Sequence, residues 1–302
     1  MNKEIVLQQL NKLLGAENVL TDEPMSGHCT FRIGGNADFF VSPRDEEGVA
    51  AVVSYAKSEN IPYFVTGNGS NLLVSDDGYR GIIVNIGKNM SSVKVEGNRV
   101  FAQAGATLAK IAGEALGANL AGFEFASGIP GTLGGAVYMN AGAYGGEMRD
   151  VVVSTRYIDK NGNICEIKGE NHLFGYRKSF FALEGGIILS AVIELKEGNK
   201  EDIQALMADL NNRRRTKQPL EYPSAGSTFK RPEGYFAGKL IEDALLKGYS
   251  VGGACVSEKH SGFVINKGNA TCKDVLSLVE HIKSVVYEKF GVELETEIKY
   301  LG

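Results

Sequence analysis

"VTGNGSNLLVSD", residues 65–76, decides the fold. An apolar strand runs into Gly67-Asn68-Gly69-Ser70-Asn71. Small residues of this kind let successive backbone N–H groups turn inward as an anion-binding nest. The G-x-G start is also how a dinucleotide-binding Rossmann motif begins. That motif needs a third glycine and the N-terminus of a helix. Here the third glycine is missing, and "LLV" after the loop is β-like. The pattern therefore argues against a Rossmann site. The segment is read either as a phosphate-cradling turn between strands or as an ordinary Gly-Asn-Ser turn.

Outward from this loop, the chain mixes elements without a repeating βαβ wind. "ADFFVSP" (37–43) and "PYFVTG" (62–67) read as strands around a helix over 45–60. That helix carries Val49, Val52, Val53 and Ala56 on one face, a crossover expected to join parallel strands. "LLVSDDGYRGIIVNI" holds two apolar runs around an Asp-Gly turn signal. A hairpin is expected over 93–105, turning at Glu96-Gly97-Asn98, followed by a helix over 107–116. Strands follow in "VVVSTRYI", "ICEI" and "GIILSAVIEL". The N-terminal Ile5, Leu7, Leu10, Leu13 and Leu14 follow roughly helical spacing. A composition shift at "EGNKED" (197–202) marks a boundary near 198. Beyond it come a helix with Ile203, Leu206, Met207 and Leu210 on one face, a second amphipathic helix (Val275, Leu278, Val279, Ile282, Val285, Val286) capped by Gly291, and a closing strand "VELETEIKYL". The class is α+β.

Composition narrows the function. The 302 residues suit about two domains. Hydrophobic content of 43% and charged content of 23% are ordinary for a globular chain. The formal charge of −4 argues against a bulk electrostatic grip on nucleic acid or an anionic membrane. Cys29, Cys165, Cys255 and Cys272 show no C-x-x-C spacing, so neither a disulfide framework nor a metal site is expected. The N-terminus lacks the apolar core of a signal peptide, and no run approaches a membrane span. A cytoplasmic protein is expected.

Glycine is enriched, at 38 residues, about 13% against a usual ~7%. The second glycine cluster, "SGIPGTLGGAVYMNAGAYGGE" (127–147), holds seven glycines yet also Ile129, Leu133, Val137 and Met139. A linker would be polar. This segment reads as buried backbone that lies against a flat ligand, or as a glycine-rich packing loop.

Seven stretches in register resemble the UDP-N-acetylenolpyruvoylglucosamine reductase (MurB) family of peptidoglycan synthesis. They are "TFRIGGNADFF", "GNGSNLLVSD", "SGIPGTLGGAVYMNAGAYG", "GYRKSFF", "YPSAGSTFKRPEGYFAGKLIE", "GGACVSEKHSGFVIN" and "LETEI". They span most of the chain. Arg231 stands where longer members have Asn, and the C-terminal part is short. Both features resemble the type II subgroup.

The resemblance implies a two-lobed FAD-binding region of the vanillyl-alcohol-oxidase (PCMH) type and a C-terminal α+β substrate domain. The implied division is a helical segment over 1–26, an FAD region over 27–198 (lobes about 27–86 and 87–198), and a substrate domain over 199–302. Cofactor contacts fall on Gly67, Asn68, Gly69, Ser70, Asn71 and Leu72, then on Gly128, Pro130, Gly131, Gly134, Gly135, Asn140, Gly142 and Gly145. NADPH reduces the flavin, and the enolpyruvyl sugar nucleotide then takes its place. The expected partners are those two small molecules, with no nucleic acid, no membrane insertion and a monomeric chain.

By the same motifs Ser227 is the proton donor, Arg177 the arginine facing the substrate carboxylate, and Glu297 the glutamate that helps hold or protonate the enolate. Tyr176, Lys217 and Arg231 fall in the substrate site. Read from local pattern alone, Ser227 is a turn hydroxyl, Arg177 an exposed strand cation, and Glu293, Glu295 and Glu297 a solvated strand face. Two other functions compete. One is another FAD oxidase of the same fold. The other is a non-catalytic sugar-nucleotide binder.

Overall fold

A computed structural model describes residues 2–302. The chain divides into two compact units. The first comprises Met1–Thr21, Phe39–Asn68 and Gly81–Arg214; the second comprises Asp22–Asp38, Gly69–Arg80 and Arg215–Gly302. Two inserts from the N-terminal half thus belong with the C-terminal third.

In the first unit, helix α1 (Lys3–Leu14) begins at Asn2, whose side chain accepts from the N–H groups of Glu4 and Ile5. Its buried residues are Val6 and Leu10, while Ile5 is exposed. Leu7 and Leu14 pack against the same core, so the expected face holds except at Ile5. Helix α2 (Glu46–Ser58) starts on Asp45, which accepts from Gly48 N–H at 2.7 Å. Val49, Val52, Val53 and Ala56 are buried, as their 3.6-residue spacing requires. Four strands form one sheet in the order Val19–Pro24, Asn36–Val41, Tyr79–Asn85, Tyr63–Thr66. The strand Tyr79–Asn85 lies between the two that flank α2 and runs parallel to Tyr63–Thr66. Phe39, Val41, Ile82 and Val84 pack there with Val6, Leu10 and Val52.

A second sheet of this unit is antiparallel, in the order Ile164–Lys168, Val152–Ile158, Ile187–Glu194, Arg99–Gln103, Val93–Glu96. The expected hairpin turns at Gly97 and Asn98. Helix α3 (Leu108–Gly117), capped by Thr107, contributes Leu108, Ile111, Ala112 and Ala115 to a large core with Phe123, Leu133, Val137, Phe181, Leu189 and Ile193. Helix α4 (Leu133–Met139) lies inside the second glycine cluster, where the sequence pattern predicts no helix. Gly134 N–H donates to Ala104 carbonyl and Leu133 N–H to Ala106 carbonyl, both at 2.8 Å. These bonds to neighbouring backbone hold a turn that intrinsic propensity disfavours. The short helix α5 (Phe180–Glu184) follows, capped by Ser179. Helix α6 (Lys200–Lys217) buries Ile203 and Leu210, while Leu206 is exposed.

The second unit holds helix α7 (Ala237–Asp243), a three-stranded antiparallel sheet (Ser250–Val251, Ala254–Val256, Val264–Asn266) and helix α8 (Cys272–Phe290). Thr271 and Asp274 form a reciprocal cap at the start of α8, and Gly291 ends it at φ +66°. Both carboxylate oxygens of Asp76 accept from the first turn, from Cys272 N–H at 2.7 Å and Lys273 N–H at 3.0 Å. Val275, Leu278, Val279, Ile282 and Val286 are buried as expected. The closing strand is shorter than its pattern suggested. Only Lys299–Leu301 pairs regularly, in parallel with Leu72–Val74, and Tyr300 faces out. The apolar runs either side of the Asp-Gly turn therefore end in different sheets.

Among the described residues, no helix is long and apolar enough to cross a membrane. No group of three or more His, Cys, Asp or Glu could hold a metal ion.

Candidate active site

In the first unit, the two glycine-rich segments are laced together. A Cβ on Gly67 would sit 2.1 Å from Thr132 Oγ1. That close approach explains the glycine without any ligand. Asn68, exposed, donates from Nδ2 to the Pro130 carbonyl at 3.3 Å. Residues 67–68 and 130–132 thus form one continuous surface. Gly128 lies against Asn211 and Arg214 of α6, and Gly142 against Glu147 in the small hairpin Gly142–Ala143/Gly146–Glu147. Gly135 differs. It is exposed in the first turn of α4, and a Cβ there would find nothing closer than Thr132 Oγ1 at 3.9 Å. Packing and backbone angle both permit a side chain, yet none is present. An open, uncluttered first turn beside residues 67–68 fits a flat group lying on the backbone.

Arg177 projects from a tight turn. Gly175 and Lys178 exchange both backbone hydrogen bonds, at 3.0 and 3.1 Å, with Tyr176 and Arg177 between them. Arg177 is left-handed at φ +53°, a conformation that type II turns give to glycine or asparagine at this position. For an L-residue it costs roughly 1 kcal/mol. Its guanidinium lies 5.2 Å from the centre of the Tyr176 ring. Behind the turn, Asn140 is fully buried. Its side chain is directed at Gly175, Glu147 and Arg149.

Arg214 is the middle one of three consecutive arginines near the end of α6. In the structure it is half-buried and hydrogen-bonded to Tyr144, and burial pulls its pKa below the ordinary arginine value. The readable signal was the spacing of Asn211 and Arg214, three apart on one face of α6.

In the second unit, Ser227 is exposed on irregular chain just after Gly226, which is left-handed at φ +78°. The next residue, Thr228, is buried and holds three segments together. Its N–H donates to Gly262 carbonyl at 2.8 Å, its Oγ1 accepts from Val264 N–H at 2.9 Å, and its carbonyl accepts from Glu297 N–H at 2.8 Å. Phe229 pairs with Thr296, and Lys230 N–H donates to Glu295 carbonyl. Backbone pairing thus sets Glu297 against Thr228, the residue that follows Ser227.

Asn71 reaches the same place. It donates from Nδ2 to Glu297 carbonyl at 3.0 Å, and its carbonyl accepts from Lys299 N–H at 2.8 Å. Thr30, which local pattern gave no reason to select, donates from Oγ1 to Ser224 carbonyl at 2.7 Å and from its backbone N–H to Gly69 carbonyl at 3.4 Å. Gly69 is left-handed at φ +59°, and a Cβ would meet His28 carbonyl at 2.3 Å. Ser70 is half-buried and Leu72 buried. Lys217 and Arg231 are exposed; the Arg231 guanidinium stacks 3.9 Å from the centre of the Phe236 ring.

A family model described as an FAD binding domain matches residues 37–168. Another, described as the C-terminal domain of UDP-N-acetylenolpyruvoylglucosamine reductase, matches residues 218–301. The UDP-N-acetylenolpyruvoylglucosamine reductase of Clostridioides difficile (strain 630) is 54% identical over 301 residues, covering 100% of this chain and 99% of its own. That of Caldanaerobacter subterraneus subsp. tengcongensis is 54% identical over 299 residues, covering 99% of each. The crystal structure of the reductase from Thermus caldophilus superposes with a TM-score of 0.80 at 35% identity, covering 94% of this chain and 98% of that one. With both domains matched and relatives alike along the whole length, the chain belongs to the UDP-N-acetylenolpyruvoylglucosamine reductase family.

Proposed function

We propose that this chain reduces UDP-N-acetylglucosamine enolpyruvate to UDP-N-acetylmuramate with FAD as cofactor and NADPH as reductant. The observation that carries the reading is full-length identity of 54% to a curated reductase. The division of labour follows the sequence expectation: residues 27–198 for the cofactor, 199–302 for the substrate, and 1–26 as a helical lead-in. The same reading makes the protein a cytoplasmic monomer that engages neither nucleic acid nor membrane.

The cofactor would lie along Gly67–Leu72 and the backbone of 128–145. The open first turn at Gly135 and the exposed Asn68 support that choice. Bound FAD supplies hydride transfer from NADPH to the terminal vinyl carbon of the substrate. Negative charge then develops on the adjacent carbon and spreads into the substrate carboxylate. Arg177 faces that carboxylate. Its planar guanidinium makes two parallel hydrogen bonds that strengthen as charge builds. Ser227 gives its hydroxyl proton to the adjacent carbon. A serine is a weak acid in water, so contact and orientation must carry much of the barrier. Glu297 sits beside the same segment and holds the enolate oxygens or relays a proton to them. Tyr176, Lys217 and Arg231 hold the sugar nucleotide.

The test is anaerobic. The purified yellow protein is mixed with NADPH, then with the enolpyruvyl sugar nucleotide. Bleaching by NADPH and recolouring by the sugar nucleotide are expected. Recolouring by oxygen alone would point to an oxidase of the same fold. A protein that binds the sugar nucleotide but neither takes up FAD nor turns over would be a binder only.

A further inference from the structure

Asn140 has no surface left for a ligand. It is 0% exposed and stands at the C-terminal cap of α4 in the left-handed conformation, φ +45° and ψ +57°. Asparagine tolerates that conformation better than other side chains. Its amide is fully engaged. Nδ2 donates to Gly175 carbonyl at 3.0 Å and to Glu147 Oε2 at 2.9 Å, and Oδ1 accepts from Arg149 N–H at 2.9 Å. Glu147 is in turn paired with Arg149.

Gly175 is where this matters. The same carbonyl accepts Lys178 N–H and so closes the two-residue turn that presents Arg177. One amide therefore fixes two things: the end of the glycine-rich cofactor segment and the base of the arginine turn. A second tether lies on the far side of the turn. Ser179, also 0% exposed, donates from Oγ to Tyr138 carbonyl at 2.7 Å, two residues before Asn140. A strained residue such as Arg177 keeps its conformation only when its surroundings over-determine it, and these two side chains are the surroundings that do so.

We propose that Asn140 is a positioning residue for Arg177, acting through the Gly175 carbonyl to hold the arginine turn in register with the cofactor segment. This rests on the reading of Arg177 as the group that faces the substrate carboxylate. A misplacement of about 1 Å in such a group costs on the order of 10²-fold in rate. The cost falls on the half-reaction that uses Arg177, the reoxidation of reduced flavin by the enolpyruvyl substrate. Reduction of flavin by NADPH does not use it.

The experiment is stopped-flow on holoenzyme carrying Asn140→Gly, Arg177→Ala and both changes. Glycine keeps the left-handed backbone at position 140 and removes only the amide. Expected are reoxidation at saturating substrate slowed roughly 10- to 100-fold, flavin reduction by NADPH and FAD retention unchanged, and no further loss when Asn140→Gly is added to Arg177→Ala. Three results would overturn the proposal: wild-type reoxidation in Asn140→Gly, an equal added loss in the Arg177→Ala background, or loss of FAD as the main defect. If Asn140→Gly does not fold, Asn140→Ser is measured in the same way; its shorter side chain cannot span Gly175 and Glu147 together. If Arg177→Ala itself reoxidises at the wild-type rate, the assignment of Arg177 fails first and takes this inference with it.

Discussion

The backbone N–H of Glu297 donates to the carbonyl of Thr228 at 2.8 Å, one residue after Ser227. Thr228 and Glu297, 69 positions apart, are set side by side by backbone pairing alone, with Ser227 immediately before Thr228 in the chain. Their separation then does not depend on flexible side chains, which is what a proton donor aimed at one carbon requires. Ser227→Ala removes the hydroxyl and leaves this pairing intact. Product formation should fall by roughly 10²–10⁴-fold, the usual range for losing a general acid. Flavin bleaching by NADPH should persist. Quantifying UDP-N-acetylmuramate by mass spectrometry alongside flavin absorbance checks both. A Ser227→Ala enzyme that still makes product near the wild-type rate would remove Ser227 from the mechanism.

Two glycines of the proposed cofactor segments should respond in opposite ways to alanine. At Gly135 a Cβ meets nothing closer than Thr132 Oγ1 at 3.9 Å, an ordinary contact, and the residue lies in the first turn of α4. Alanine there should raise the stability of the apoprotein by up to about 1 kcal/mol and weaken FAD binding. At Gly69, φ is +59° and a Cβ would stand 2.3 Å from His28 carbonyl. Alanine there should cost more than about 1 kcal/mol whether or not FAD is present. Thermal melts of both variants, each with and without FAD, separate the effects. Tight FAD binding by Gly135→Ala would mean that the cofactor does not lie over this turn.

Much of this was legible in the sequence. The faces of α2 and α8 were read residue by residue, because a single apolar stripe must be buried on each. The α+β class, the FAD-binding domain and the C-terminal reductase domain were likewise readable from motif order. What failed was local. Helix α4 was missed because Gly134 and Gly135 lower helix propensity, and backbone bonds to Ala104 and Ala106, distant in sequence, override it. Leu206 and Ile5 satisfied an apolar period and still face out. The closing strand looked regular over ten residues because alternation cannot tell a ladder from an isolated bridge. The links from Asn71 to Glu297 and from Thr30 to Ser224 span 226 and 194 residues. No pattern within a short window encodes contacts of that range.

His172 should make stability sensitive to mild acid. It is fully buried, stacked on Phe174. Nδ1 lies 2.9 Å from Gly169 carbonyl, which can only accept, so the proton is on Nδ1. Nε2 then accepts from Thr155 Oγ1 at 2.9 Å. Burial holds the imidazole pKa below its ordinary value. The unfolded chain therefore takes up a proton below about pH 6.5 while the folded one does not. Stability is full above that pH, falls as pH drops through it, and levels off only below the depressed folded value. His260, lowered by burial as well, adds to the same slope. Melting temperature should fall from pH 7.5 to 5.5, and His172→Gln should flatten part of that fall. Parallel curves for the two proteins would show that His172 does not contribute.

Arg177 should trade stability for catalysis. Its left-handed backbone costs roughly 1 kcal/mol that glycine would not incur. Against that, Arg177→Gly loses the contact with the Tyr176 ring and loosens the unfolded chain. The balance should leave apoprotein stability unchanged or higher by up to about 1 kcal/mol. Turnover should fall at least about 10²-fold, because the group proposed to meet the developing carboxylate charge is gone. Arg177→Lys serves as the control. It keeps the strain and the charge but not the planar fork, so it should melt like the wild type and still lose most activity. Denaturant unfolding of the three apoproteins, paired with steady-state rates of the holoenzymes, reads both quantities. A large loss of stability in Arg177→Gly would mean that the turn depends on the arginine side chain for folding. A stable but inactive variant would mean that the strain is kept for the reaction.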